Sequence, residues 1–191
     1  MDSWENKSSE FLFSAPNNDA EFIAGYLFSN PVSTILELGF GTNRLLPYIL
    51  KAAPDIRYFG FDKTKKFVRL ANKKYKNNNL SFDILDIENI KQLISTINKI
   101  NPDLLILRSV LEHISSWKNV LRTINSLHVP ILLITTYTGS LKESISGLRR
   151  GDYIVNILSD NEVFNILTSY TCSSITSFNS INRRFYIYKK D

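Results

Sequence analysis

The chain has 191 residues, 43% of them apolar and 21% charged, with one cysteine and a net charge of +5. That is one domain's length in ordinary globular composition, which excludes disordered, collagen-like and fibrous classes. A lone Cys172 allows no internal disulfide or cysteine-built zinc site, no apolar run approaches the roughly 20 residues of a membrane span, and the polar, acidic start does not read as a targeting segment, so a cytoplasmic location is expected.

Residues 1–30 read as a helical lead-in. Ala20, Phe22, Ile23, Tyr26 and Leu27 recur at helical spacing before Asn30-Pro31 stops them, and Trp4, Phe11 and Phe13 are candidates to close over a pocket as a lid. Residues 31–191 read as a single domain. Thr34 to Leu38 is a short apolar run ending in Gly39 and Gly41, followed by Leu45, Leu46, Ile49 and Leu50, hence strand, glycine turn, helix. Arg57 to Asp62 is a second strand. Seven of the 23 basic residues then fall between Lys63 and Lys76, where Phe67, Leu70 and Ala71 keep helical spacing. A solvated helix face is expected there, with a nucleic-acid or phosphate patch as the alternative.

Leu80 to Asp86 reads as a third strand, Ile90 to Ile100 as a helix, and Asp103 to Val110 as an almost wholly apolar fourth strand. Trp117, Val120, Leu121, Ile124 and Leu127 mark the next helix, and Pro130 to Tyr137 is a fifth strand. A long polar segment follows, then a helix near Asp160 to Tyr170 and two final strands, Ser173 to Phe178 and Arg184 to Tyr188. Continuous apolar strands alternating with amphipathic helices indicate an α/β fold: a doubly wound, mostly parallel, seven-stranded sheet, helices on both faces, with a C-terminal antiparallel hairpin.

Open α/β sheets bind ligands outside the carboxyl ends of their strands, which is where Glu37-Leu38-Gly39-Phe40-Gly41-Thr42-Asn43 lies. Glycines there let backbone N–H groups approach a ligand, beside a helix amino terminus. A dinucleotide fingerprint would need a small residue where Arg44 stands, and no Gly-Lys-Ser/Thr follows for a Walker loop. Asp62 ends the second strand, where an acid can accept both hydroxyls of a ribose.

The turn resembles motif I (acidic-x-G-x-G-x-G) of the Rossmann-like S-adenosylmethionine-dependent methyltransferases, with Asn43, which tolerates left-handed backbone, in place of the third glycine. Asp86-Ile87 is similar to the family's acidic-apolar pair, with Asp83 as a rival on the opposite face, and Leu107 to Ile114 (LRSVLEHI) is similar to the LEHI stretch of its small-molecule members. With the terminal hairpin, the resemblance spans about residues 30 to 190. It implies S-adenosylmethionine as cofactor, S-adenosylhomocysteine as product, and no metal. By the same resemblance Glu37, Gly39, Phe40, Gly41, Asn43, Asp62, Lys63, Asp86, Ile87 and Arg108 are the cofactor candidates. Asp62 would hold the ribose, Asp86 the adenine amino group, and Ile87 would pack on the ring.

Transfer to a hydroxyl needs a base, and His113 is the candidate, because an imidazole ordinarily changes charge near neutrality. Glu112, Tyr137, Arg149, Arg150 and Tyr153 are the candidates for the acceptor. The expected activity is O-methylation of a small polar or saccharide acceptor. The alternatives are a non-catalytic S-adenosylmethionine-binding or partner subunit, a nucleic-acid methyltransferase, and a nicotinamide oxidoreductase. Nucleic acid is disfavoured because the fourth strand lacks the Asn/Asp-Pro-Pro-aromatic ending, and the oxidoreductase because of Arg44.

Overall fold

The computed structural model describes residues 18–139, 142–150, 153–178 and 183–190. Helix α1 (Asn18–Ser29) leads into β1 (Thr34–Leu38), α2 (Leu46–Ala52), β2 (Arg57–Asp62), α3 (Lys65–Lys74), β3 (Leu80–Ile84), α4 (Ile90–Ile100) and β4 (Leu104–Arg108). A 3-10 turn (Leu111–His113) precedes α5 (Trp117–Ser126), β5 (Ile131–Gly139), β6 (Ile145–Arg150), β7 (Tyr153–Ser159), α6 (Asp160–Ile166), β8 (Tyr170–Phe178) and β9 (Arg183–Lys190). Trp4, Phe11 and Phe13 lie outside the described residues.

Seven strands run in the spatial order β3-β2-β1-β4-β5-β9-β8, parallel as far as β5, with β9 antiparallel to both its neighbours. The expected sheet and terminal hairpin are there. The segment after β5, read as merely polar, adds two further strands: β7 pairs in parallel with the end of β5 at Thr138 and Gly139, and β6 pairs antiparallel with β7. Strand β6 is bulged between Ile145 and Leu148, around Gly147 at φ +77°.

Every residue of β1 is buried, as a strand covered on both faces requires. One face is covered by α1, α2 and α3 through Ala20, Ile23, Leu27, Leu46, Ile49, Phe67, Val68 and Ala71. The other is covered by α4, α5 and α6 through Leu93, Ile97, Trp117, Val120, Leu121, Ile124 and Val163. The lysines of α3 flank its buried Phe67, Val68 and Ala71, giving the solvated face read from the sequence. Among the described residues no helix is long and apolar enough to cross a membrane.

Strand ends differ from the sequence reading at two places that shape the site. β3 stops at Ile84, leaving Asp86 in a loop, and β4 stops at Arg108. At Ser109 the backbone turns left-handed (φ +54°) while its N–H still bonds the carbonyl of Thr135. Helix α6 is also shorter than expected, because Tyr170 already opens β8.

Candidate functional site

The glycine turn closes on itself at three left-handed residues, Gly39 (φ +74°), Gly41 (φ +57°) and Asn43 (φ +60°). The two glycines serve different ends. A Cβ at Gly39 would lie 2.4 Å from Cγ2 of Val110, so that glycine lets the turn rest on the loop after β4. A Cβ at Gly41 would meet nothing within 4 Å, so that face of the turn is open. Asn43 keeps the left-handed conformation a third glycine would have supplied. Its side chain is buried, and neither amide atom has a hydrogen-bond partner. A buried carboxamide with no partner is costly, which makes this turn a place that a polar ligand would stabilise.

Asp62 anchors the turn from the neighbouring strand. Its Oδ2 accepts from the N–H of Gly41 at 2.8 Å, and its Oδ1 from the N–H of Thr64 at 2.8 Å. A carboxylate has about four lone-pair sites, so these bonds leave capacity for ligand hydroxyls. Lys63 beside it is exposed. Phe40 points inward, edge-on to Phe82 at 5.6 Å between ring centroids.

Glu37 lies in the interior. Its strand partner Gly60 carries no side chain, and Tyr58, two residues earlier on that face of β2, donates its hydroxyl to Glu37 Oε2 at 2.5 Å. Burial drives the Glu37 carboxyl up to about 7, against the pull of Tyr58 and of the Arg108 guanidinium, while Asp62 and Asp19 add to the rise. The Tyr58 hydroxyl is held well above its ordinary range by the same burial and by Glu37.

Arg108 ends β4 on the same face. It makes a bidentate ion pair with Asp19 of α1, Nε to Oδ2 at 2.8 Å and Nη2 to Oδ1 at 3.0 Å. Burial alone would pull the guanidinium down, but Asp19, Glu37 and Glu112 raise it above its ordinary value. In the following 3-10 turn Glu112 is fully buried, with Oε2 accepting from the Thr136 hydroxyl at 2.9 Å and Oε1 lacking a partner. His113 is half-buried, and its backbone N–H donates to Val110 at 2.9 Å.

Asp86 is exposed, its Oδ1 accepting from the N–H of Glu88, and Ile87 is buried in the core. The rival Asp83 is exposed too and accepts from the N–H of Ile84. Glu88 ties this loop to the one before α5, accepting from the hydroxyls of Ser115 and Ser116 and from the Ser116 N–H. Burial pushes its carboxyl up, but those bonds and Lys63 outweigh it and leave the carboxyl below its ordinary value.

Tyr137 lies on β5, Arg149 and Arg150 on β6, and Tyr153 on β7; their side chains fall outside what the structure describes. β7 packs against the turn carrying Glu112 and His113, Asn156 donating to the carbonyl of Ile114 at 3.0 Å. Glu37, Gly39, Gly41, Asn43, Asp62, Arg108, Glu112 and His113 thus stand along one edge of the sheet. Sequence reasoning missed Asp19, Tyr58 and Thr136. Only Tyr58 left a signal, as an aromatic two residues before a strand glycine.

A methyltransferase-domain family model matches residues 36–130. Three solved structures share the fold. The N-terminal domain of EvdMO1, determined in the presence of SAH and D-fucose, is 13% identical with a TM-score of 0.69, covering 93% of this chain and 85% of that one. The 1,6-didemethyltoxoflavin-N1-methyltransferase of Burkholderia thailandensis is 14% identical with a TM-score of 0.71, over 98% and 84%. A Haloferax volcanii putative methyltransferase in complex with the Trm112 activator is 12% identical with a TM-score of 0.69, over 100% and 98%. No curated protein sequence matches this chain.

Proposed function

We propose, for a chain that belongs to the Rossmann-like S-adenosylmethionine-dependent methyltransferases, that it transfers a methyl group to a hydroxyl oxygen of a small polar or saccharide acceptor. The observation that carries the reading is the turn at 39–43, with one face open at Gly41, a carboxylate tethered beneath it, and a buried amide whose polar atoms lack partners. Those features fit the amino-acid end and ribose of S-adenosylmethionine. A saccharide acceptor is supported by the crystallisation of the EvdMO1 domain with D-fucose.

When bound, the cofactor supplies an activated methyl group on a sulfonium, so the chain's own task is to align the acceptor and exclude water. The open face of the turn at Gly41 and the unpartnered amide of Asn43 would receive the amino-acid end, and Asp62 would accept from the ribose hydroxyls with its remaining lone pairs. Asp86 and Ile87 take the adenine side. Lys63, exposed at the rim, adds positive charge there. On the acceptor side, His113 takes the proton of the reacting hydroxyl, while Glu112, fully buried, orients the acceptor through the turn that its bond from Thr136 holds in place. Tyr137, Arg149, Arg150 and Tyr153, on the strands past that turn, contribute hydrogen-bonding groups suited to a polyol.

Calorimetry with S-adenosylhomocysteine tests the cofactor half of the reading. Asp62→Ala is expected to weaken binding by about 1.5–3 kcal/mol, the scale of hydrogen bonds to a charged group. Because Asp62 also tethers Gly41, the turn should become protease-sensitive. Unchanged affinity would remove Asp62 from the site. Gly41→Val should abolish binding while far-ultraviolet dichroism stays native. Its β-branched side chain would occupy the open face of the turn, in a left-handed conformation costing about 1–3 kcal/mol. Retained binding would make the turn purely structural. Turnover on a panel of alcohols, amines and sugars, read by mass spectrometry, tests the acceptor half; products methylated only on nitrogen or carbon would overturn it.

A further inference from the structure

The 3-10 turn that carries His113 is held on both sides of that residue. Before it, Glu112 accepts from the Thr136 hydroxyl of β5 at 2.9 Å, and after it, the Ile114 carbonyl accepts from the Asn156 amide of β7 at 3.0 Å. Asn156 is 8% exposed, and its amide is engaged at both ends, because Oδ1 accepts from the N–H of Gly147 on β6 at 3.4 Å. The strand register explains why that N–H is available. Val155 pairs with Leu148 and Ile157 with Ile145, so Asn156 faces the two bulged residues, Ser146 and Gly147, the second of them left-handed at φ +77°. One side chain therefore takes a donor that the ladder leaves over and gives its own donor to the backbone next to His113. The hairpin is fastened elsewhere as well. The Ser144 hydroxyl accepts from the N–H of Ser159 at 2.7 Å, a bond within the hairpin and the start of α6 that does not reach the turn.

We propose that Asn156 is a positioning residue for methyl transfer, one that fixes the β6–β7 hairpin, and the acceptor groups it carries, in register with the base on the turn. The inference rests on the acceptor reading above, in which His113 takes the proton and β6 and β7 contribute the acceptor contacts. A carboxamide suits the task because it donates at one end and accepts at the other. One orientation alone serves here, Nδ2 to the Ile114 carbonyl and Oδ1 to the Gly147 N–H, so the side chain specifies the fit as well as tying it. A base must stand within hydrogen-bond reach of the proton it takes, and a misplacement of about 1 Å between hairpin and turn is enough to slow the chemical step. Neither bond of Asn156 goes to the glycine turn or to Asp62, so its loss should be felt in transfer rather than in cofactor binding.

Two measurements are made on wild type, Asn156→Asp, Asn156→Ser and Ser144→Ala. The first is kinetic, with the panel sugar that wild type methylates fastest as acceptor, beside calorimetry with S-adenosylhomocysteine. The second is the proton spectrum of the His113 ring, which a His128→Gln background leaves as the single imidazole, since the chain has two histidines. Asn156→Asp keeps an acceptor for Gly147 but sets a carboxylate against the Ile114 carbonyl, and Asn156→Ser is too short to span both partners. Both should lower kcat by roughly 10- to 100-fold while S-adenosylhomocysteine affinity stays within about twofold of wild type. They should keep the acid limb of the rate, which belongs to His113, and shift the His113 ring signals. Ser144→Ala loosens the same hairpin without touching the turn, so whatever it costs in melting temperature it should keep kcat and the ring signals. A kcat close to wild type in the Asn156 variants, an equal loss in Ser144→Ala, a parallel loss of cofactor affinity, or an unmoved His113 ring would each overturn the proposal while the acceptor reading stands. Transfer by His113→Ala as fast as by wild type, or no transfer to any alcohol or sugar of the panel, would end both.

Discussion

Arg108→Ala is expected to destabilise the protein by about 3–5 kcal/mol in chemical denaturation, the range for breaking a buried ion pair by removing one partner. The cost arises from what is left behind. Asp19, 4% exposed, would lose the guanidinium from which both of its carboxylate oxygens accept, and Glu37 would lose the cation that favours its ionised form. Asp19→Ala should cost a similar amount, and the double variant less than the two together, because neither charge is then stranded. Single variants within about 1 kcal/mol of wild type would show the pair to be dispensable. Since the pair joins residues 89 apart in sequence, α1 to β4, its loss should also free α1, visible as accelerated amide exchange over residues 18–29.

The second large effect is on rate. With His113 as base, His113→Ala should slow transfer to a hydroxyl acceptor by roughly 10²- to 10⁴-fold with little change in cofactor affinity. The bond from the residue's backbone N–H to Val110 does not depend on the side chain, so the 3-10 turn should survive. Wild-type rate should fall toward acid, since only a neutral ring accepts a proton, and that limb should vanish in the variant. If melting temperature and cofactor affinity drop together with no limb lost, His113 is a structural hydrogen-bonder. Near-wild-type turnover across pH would leave alignment of the acceptor as the main catalytic contribution.

The strands β1, β4 and β5 could be read from sequence because a strand buried on both faces must be apolar throughout, and Thr34 to Leu38, Leu104 to Leu107 and Ile131 to Ile134 are nearly so. The glycine turn was legible because left-handed backbone restricts residue choice. β6 and β7 were not. Ile145 to Arg150 alternates weakly, carries a bulge at Gly147, and holds two arginines, so neither period stands out. The acids around Arg108 were illegible for a different reason. Asp19 is an ordinary first-turn acid by pattern, and nothing local reveals that a residue 89 positions away needs its charge. Likewise the motif's Glu37 reads as a ligand residue, and only the missing side chain of Gly60 across the ladder explains how Tyr58 reaches it.

Strand β9 sits between β5 and β8, yet it is the last of the sheet to be synthesised, and Ile131 pairs with Lys189 across more than fifty residues. Until residues 183–190 emerge, β5 offers a bare row of amides and carbonyls on a strand whose Leu132, Leu133 and Ile134 are meant to be buried, and Phe185, Tyr186, Ile187 and Tyr188 are not yet there to cover them. A nascent chain in that state has a ready edge for pairing with other chains. The interval between translation of β5 and of β9 is therefore when this protein is most exposed to aggregation, and a chaperone that shields strand edges would act on it in that window.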